Sequence, residues 1–461
     1  MNIFQIINTK KKYRKDIDGL RAISVIAVIL FHFGLLERGY LGVDVFFVIS
    51  GYLITGIIYS KSLVGKFSIK DFYIRRVRRI LPLVLLITVV ALIVGVFKML
   101  PDDLENLAQS IIATNFFGNN ILAVLTTKNY WDVVNEFKPL MHTWSLGVEE
   151  QFYMVYPFLF MVLIKFGKKP ILFFLFSLTV SSMIIFFIEP KEYLKFYLIP
   201  YRFFELSIGG IVAIVLHNKL IKHNFSVVLI LLLLVLLGVS KLNISDSVAL
   251  IGTVIVTVLF LISDNSTTRI ASLLLENRLV VFIGLLSYSL YMWHQVILSY
   301  ARYFVFERIG GEELCYISAL ILVTSMLSYY LVERPMRYKL SFKASLGILL
   351  VGFFLTTSAS SIIYLRAGVI KDVPELSIDK NNYTKNMHSA YNHRIYEFNS
   401  DFGDNEKLKI LVIGNSFARD WCNVLLESRY KDKIEVRYQF DLSNKELIKK
   451  LKLSSQLVFL S

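Results

Sequence analysis

His32 is the residue whose type and setting point most directly to chemistry. It lies in DGLRAISVIAVILFHFGLLERGYLGVDVFFVISGY, residues 18–52, a stretch apolar enough to cross a membrane twice. The same stretch carries Asp18, Arg21, His32, Glu37, Arg38 and Asp44. An ionisable group at the centre of a membrane helix costs about 2.5–3.5 kcal/mol on insertion scales, so such groups are kept where they face a protein interior, an aqueous cavity or a partner. A neutral imidazole near pH 7 is a general base. Arg21 precedes His32 by eleven positions; at about 100° per residue the two return to within about 20° of one helix face, about three turns apart. A buried histidine bonded to a backbone carbonyl would give the same pattern, and spacing alone leaves both readings open.

Other residues could serve such a site. Arg75, Arg76, Arg78 and Arg79 in RRVRR can hold phosphates bidentately, or anchor a membrane helix on its basic side. Glu149 and Glu150 open an apolar run in TWSLGVEEQFY, with Trp144 and Tyr153 nearby. A carboxylate there can orient an imidazolium or bind a sugar hydroxyl, and the aromatic rings stack on sugars or anchor an interface; acidic residues also simply suit a helix N-terminus. Asp44 is expected to pair with Arg21 or Arg38, or to line a cavity. Arg202 and Glu205 are expected to form an internal ion pair. His294 in SYSLYMWH is either a second titrating group or a plain interfacial histidine. Glu333, Arg334 and Pro335 are expected to end a helix at a basic loop. Ser416 follows Gly414 and Asn415 after the strand-like ILVI, where a serine is exposed and backbone N–H groups can form an oxyanion hole.

These residues need membrane helices to position them. Of 461 residues 55% are hydrophobic, the mean hydropathy is +0.59, and apolar runs recur along most of the chain without the alternation of a membrane β-barrel. Expected spans are roughly 18–36, 41–60, 80–99, 145–166, 170–188, 197–217, 226–240, 246–263, 279–300, 314–332 and 344–364, about eleven in all. The net charge of +15 sits in the connections, so topology explains it better than nucleic acid does. Lys10, Lys11, Lys12, Arg14 and Lys15, then the loop holding RRVRR, then Lys165, Lys168 and Lys169, then Lys219, Lys222 and His223, then Arg334, Arg337, Lys339 and Lys343 mark alternate loops as cytoplasmic. Weaker Arg269 and Arg278 fit the same side. The N-terminus is then cytoplasmic, the first span is retained rather than cleaved as a signal peptide, and everything after about 365 is extracytoplasmic. The loop 100–144 is too long for a plain connector; it is expected to hold an amphipathic or re-entrant helix over 104–125 and to fold back over a cavity. Cys315 and Cys422 form neither a metal pattern nor a disulfide framework. Beyond a polar linker, alternating strand and helix patterns imply an α/β domain with a parallel sheet.

The motifs DGLRAISVIAVILFHF, GYLGVDVFFVISGYLIT, RRVRRILP, TWSLGVEEQFY, SYSLYMWH and LVERP, in this order, resemble the acyltransferase type 3 family, membrane O-acyltransferases of bacterial surface glycans. The resemblance implies an all-α polytopic membrane domain over 13–340, an additional membrane helix at 341–365, a linker at 366–406 and a partial SGNH-like α/β domain at 407–461. It implies His32 as the essential base with Arg21 in the same motif, and the RxxR arginines as ligands of an acyl-CoA donor. Glu149, Glu150, Asp44, Trp144 and Tyr153 then belong to the catalytic or acceptor-binding surroundings, and Ser416 is the nucleophile of the SGNH-like part. That part departs from its pattern: Asn415 stands where Asp is usual, and no closing Asp-x-x-His appears before Ser461.

The expected activity is transfer of an acyl group, most simply acetyl, from cytoplasmic acyl-CoA across the inner membrane. The acceptor is a glycan hydroxyl, free or on a lipid-linked oligosaccharide, with lipopolysaccharide O-antigen placed first and peptidoglycan or exopolysaccharide as alternatives. Membrane lipid is the other partner, and no metal or nucleic acid is called for. A transporter using His32, Arg21 and Asp44 as a proton relay is the competing reading.

Overall fold

The computed structural model describes residues 13–126, 133–217, 221, 226–238, 244–264, 269–305, 309–372, 380–381, 394–440 and 445–460. Basic residues Lys10, Lys11, Lys12, Lys219, Lys222 and His223, and residues 373–379 and 382–393 of the predicted linker, lie outside them.

The apolar runs form helices. In chain order these are α1 (Lys15–His32), α2 (Gly42–Leu63), α3 (Ile69–Lys98), α4 (Pro101–Asn115), α5 (Asn119–Thr126), α6 (Val133–Glu136), α7 (Thr143–Leu163), α8 (Lys168–Ile188), α9 (Glu192–Tyr197), α10 (Ile199–Leu216), α11 (Ser226–Gly238), α12 (Asp246–Ile262), α13 (Arg269–Leu275), α14 (Arg278–Phe304), α15 (Gly311–Ser328) and α16 (Phe342–Leu365). Eight segments among the described residues are long and apolar enough to cross a membrane. The other three predicted spans are also helices: α1 is excluded by its charges, and α11 and α12 by their length. Apolar side chains on α8, α15 and α16, such as Phe173, Leu327 and Phe354, are exposed, which in this composition marks lipid-facing surface. The chain is a multi-pass membrane protein.

The chain divides into two compact units, one of residues 1–93 and 110–357, the other of 94–109 and 358–461. In the first, α1 and α2 lie at the centre. Lipid tails are as apolar as leucine, so membrane helices gain most where small residues let backbones approach. A Cβ on Gly51 of α2 would stand 1.8 Å from the Leu206 carbonyl oxygen of α10, and one on Gly209 of α10 would stand 2.1 Å from that of Val48. A Cβ on Gly284 of α14 would stand 2.0 Å from the Asp18 carbonyl oxygen of α1. Gly51→Leu forces α2 and α10 apart, an overpacking that costs about 1–3 kcal/mol or more. The expected result is a lower thermal midpoint and loss of the monodisperse peak in detergent chromatography.

Two sequence expectations change. The single helix expected over 104–125 is two, α4 and α5, broken at Phe116–Gly118, where Phe117 has φ +54°, and the short α6 follows in the same 100–144 loop. The loop does fold back: Asn119 Nδ2 donates to the Leu140 carbonyl at 2.8 Å and Thr143 Oγ1 at 2.7 Å, and Gln151 Nε2 donates to Asn120 Oδ1 at 2.9 Å. The helix predicted to end near Glu333 instead continues as π-helical turns, Tyr329–Glu333 and Pro335–Lys339. Pro335 has no N–H to donate, and the wider turn takes up the mismatch.

The second unit holds the predicted parallel sheet. Strands β1 (Leu408–Ile413), β2 (Ile434–Gln439) and β3 (Leu457–Leu460) are ordered β2-β1-β3 and connected through α17 (Ser416–Glu427) and α18 (Lys445–Ser454). Ile410, Val412, Val436, Tyr438 and Cys422 form one face of its core; burial pushes the Cys422 thiol up to about 12.

Candidate active site

Five helices of the first unit enclose a cavity of about 100 Å³. Its walls come from α1 (Arg21), α2 (Phe46, Ser50 and neighbours), α3 (Arg76, Arg79, Ile80), α7 (Ser145, Glu149, Tyr153) and α14 (Ser287, Tyr288, Tyr291). Helical periodicity sorts the residues: Arg76 and Arg79, three apart, share a face, as do Glu149 and Tyr153, four apart. Glu149 is fixed from both sides, accepting from Ser50 Oγ at 2.8 Å and from Tyr153 Oη at 3.2 Å. The Arg76 guanidinium lies over the Tyr153 ring, 4.8 Å from its centroid. Arg21 has Asp18 at 3.6 Å. Among the described residues, neither Arg76 nor Arg79 has a carboxylate within ion-pair distance. Three guanidiniums against one lining carboxylate make a cavity that favours an anion, and planar forks suit phosphate.

The predicted arginine cluster is therefore split. Arg76 and Arg79 line the cavity. Arg75 is exposed. Arg78 donates from Nε to the Met336 carbonyl at 2.7 Å and from Nη2 to that of Leu340 at 2.6 Å, satisfying carbonyls at the π-helical end of the α15 segment. The glutamates also divide: Glu149 lines the cavity, whereas Glu150 is buried beside it with Oε1 unpartnered.

Asp44 does not pair with Arg21 or Arg38, and it is not at the cavity. Arg202 Nη1 donates to it at 2.5 Å and to Glu205 Oε1 at 2.9 Å, all three side chains being at most 3% exposed. The sequence pairing of Arg202 with Glu205 is present; the third member comes from α2, which the glycine contacts draw against α10. Arg38 instead meets Asp246 at 3.3 Å. Removing one member of a buried ionic group leaves uncompensated charge, at about 3–5 kcal/mol. Arg202→Leu, which strands two carboxylates, is expected to abolish recovery of folded protein, with Asp44→Asn much milder by the same chromatographic measure. Trp144 is also away from the cavity: it is 2% exposed and packs against Phe196, Tyr197 and Phe47.

His32, at the end of α1, is half-buried and outside the cavity lining. Its ring centroid is 5.1 Å from that of His294, which is 5.3 Å from that of His142. Arg302 Nη2 donates to the His32 carbonyl at 2.7 Å and its Nη1 meets Glu136 at 3.1 Å. Tyr291 joins the two regions. Its hydroxyl bonds Ser145 Oγ at 2.7 Å in the cavity wall, while its ring lies 5.3–5.4 Å from His294 and His142. Sequence reasoning named His32 and His294 and missed His142; its only signal was a histidine abutting TWSLGVEEQFY.

Ser416 is exposed at the first turn of α17, and Asn415 caps that helix by accepting from the Phe417 N–H at 2.9 Å. No histidine falls among the described residues of the second unit; His388 and His393 lie outside them.

The first unit is thus a polytopic helical bundle in which one helix, α1, joins an arginine-lined cavity to a cluster of three histidines. The chain belongs to the acyltransferase 3 family, whose acyltransferase-domain model matches residues 14–365. It is 31% identical over 372 residues to the O-acetyltransferase OatA of Staphylococcus aureus (strain NCTC 8325 / PS 47), covering 72% of this chain and 58% of that protein. It is 42% identical over 163 residues to the peptidoglycan O-acetyltransferase OatA of Listeria monocytogenes serovar 1/2a (strain ATCC BAA-679 / EGD-e), covering 35% of this chain and 26% of that protein. The chain spans 58% of the length of the Staphylococcus aureus relatives it matches. No solved structure matches it.

Proposed function

We propose that the protein is a membrane O-acetyltransferase that carries an acetyl group from cytoplasmic acetyl-CoA to a hydroxyl of a surface glycan. The observation that carries this reading is the linkage of two chemically distinct regions by one helix: Arg21 of α1 lines the arginine cavity, and His32 of α1 meets the histidine cluster. Eleven residues of helix separate them by about 16 Å. Arg76 and Arg79, with Arg21, hold the donor phosphates. A cavity of about 100 Å³ is smaller than the about 300–1,000 Å³ of a drug-sized ligand site, so it takes part of the donor rather than the whole. His32 is the base that takes the acceptor proton, or a transient acyl carrier. Glu149, held by Ser50 and Tyr153, balances the guanidiniums on the donor side.

The arginine end faces the cytoplasm of the inner, cytoplasmic membrane. Arg78 binding the Met336 and Leu340 carbonyls brings two of the basic loops together, which supports placing both on one side. Ser416, if a base is supplied by residues outside those described, relays the acyl group onward. The transporter reading has no comparable support, since the matched family is one of acyltransferases.

The relative named as a peptidoglycan O-acetyltransferase supports peptidoglycan as acceptor over the lipopolysaccharide O-antigen that the sequence reading placed first. Mass analysis of muropeptides, lipopolysaccharide and exopolysaccharide from a deletion strain tests this. Loss of O-acetyl groups from muropeptides is expected; loss confined to another glycan overturns the acceptor.

A further inference from the structure

His32, His142 and His294 come from α1, from the residue preceding α7 and from α14, so no local pattern forces them together. His142 is 2% exposed and neither ring nitrogen has a hydrogen-bond partner; the backbones of Pro139 and Met292 lie beside it outside hydrogen-bonding geometry. His294 is 0% exposed. Its Nδ1–H donates to the Tyr291 carbonyl at 2.6 Å, which leaves Nε2 as a lone-pair acceptor with no partner. Buried polar atoms are normally satisfied, and each unpaired one costs about 1–3 kcal/mol. Apolar rings would fill the same space without that penalty. Among the described residues no His, Cys, Asp or Glu group is arranged to hold a metal ion.

We propose that His142 and His294 complete His32 into a three-imidazole proton relay, with His142 a positioning residue that acts through His32. The inference rests on the acyl-transfer reading above. In that reaction the acceptor O–H and the thioester C–S bonds break, and an ester C–O bond forms. The hydroxyl proton passes to His32, and the leaving thiolate must gain a proton on the donor side. Rings about 5 Å apart do not carry two charges together, so the cluster holds one proton and passes it along. The other charged and titratable groups facing it are Arg302, paired with Glu136, and Tyr291. The Tyr291–Ser145 hydroxyl pair connects the cluster to the wall of the arginine cavity.

The test uses the full chain in proteoliposomes with labelled acetyl-CoA and a peptidoglycan oligosaccharide. His142→Ala is expected to lower kcat about 10²-fold while the KM for acetyl-CoA moves less than about twofold. Imidazole in solution is expected to restore most of the loss. Pyrazole, of the same size but far less basic, is expected not to. Retained kcat, or equal rescue by both rings, overturns the relay and leaves His142 as packing. If His142→Ala is not monodisperse, His142→Gln, which keeps volume and polarity but carries no proton, is expected to show the same kcat loss; native kcat in it overturns the relay. Activity in His32→Ala would instead sink the underlying acyl-transfer assignment, whereas loss at His32 with none at His142 overturns the relay alone.

Discussion

His32→Ala is expected to lower kcat for acetyl transfer by about 10³-fold, within the range for a positioned general base, while donor binding stays close to native. A sugar hydroxyl is a poor nucleophile until its proton is removed, so losing the base acts on the chemical step. The donor arginines sit at the other region along α1, so the KM for acetyl-CoA reports on a site that His32 does not touch. His32→Gln is expected to be as impaired as His32→Ala, because an amide has similar polarity but no basicity. The check is steady-state kinetics on monodisperse protein. A variant with raised KM and native kcat would assign His32 to binding instead.

The second large effect belongs to Arg76 and Arg79. Charge-assisted hydrogen bonds contribute about 1.5–3 kcal/mol each, so Arg76→Gln with Arg79→Gln is expected to raise the KM for acetyl-CoA by 10²-fold or more, with a smaller change in kcat. Lysine at both positions keeps the charge but not the fork and is expected to fall between. Arg75→Gln, on an exposed residue, is expected to be near native. Arg78→Gln removes two bonds to the Met336 and Leu340 carbonyls and is expected to lower thermal stability without a donor-specific KM effect. Saturation binding of labelled acetyl-CoA separates these outcomes. Four equal effects would mean that the cluster is only a charged anchor.

The helices were legible because length and hydropathy decide them in a membrane: each predicted span is occupied by a helix. So was the parallel order of the small α/β unit, from its alternating strands and helices. Partners across helices were not. Asp44 looked able to reach Arg21 or Arg38, but the close α2–α10 contact at Gly51 and Gly209 delivers Arg202 to it, and sequence carries no distance between helices. Within RRVRR the periodicity implies two faces without saying which one meets a cavity. Glu149 and Glu150 are neighbours about 100° apart on one helix, and only the position of α2, bringing Ser50, selects Glu149. His142 was missed because a lone histidine beside a helix has no pattern of its own; its meaning comes from two rings contributed by distant parts of the chain. The end of α15 was misjudged because Pro335 read as a stop, while π-helical turns carry the helix past it.

The most direct test of the central claim is transfer of label from acetyl-CoA to a glycan hydroxyl by the purified full chain in proteoliposomes, run beside His32→Ala. The account predicts labelled glycan with the native protein and almost none with the variant. Label that never leaves coenzyme A, or equal transfer by both proteins, would contradict it.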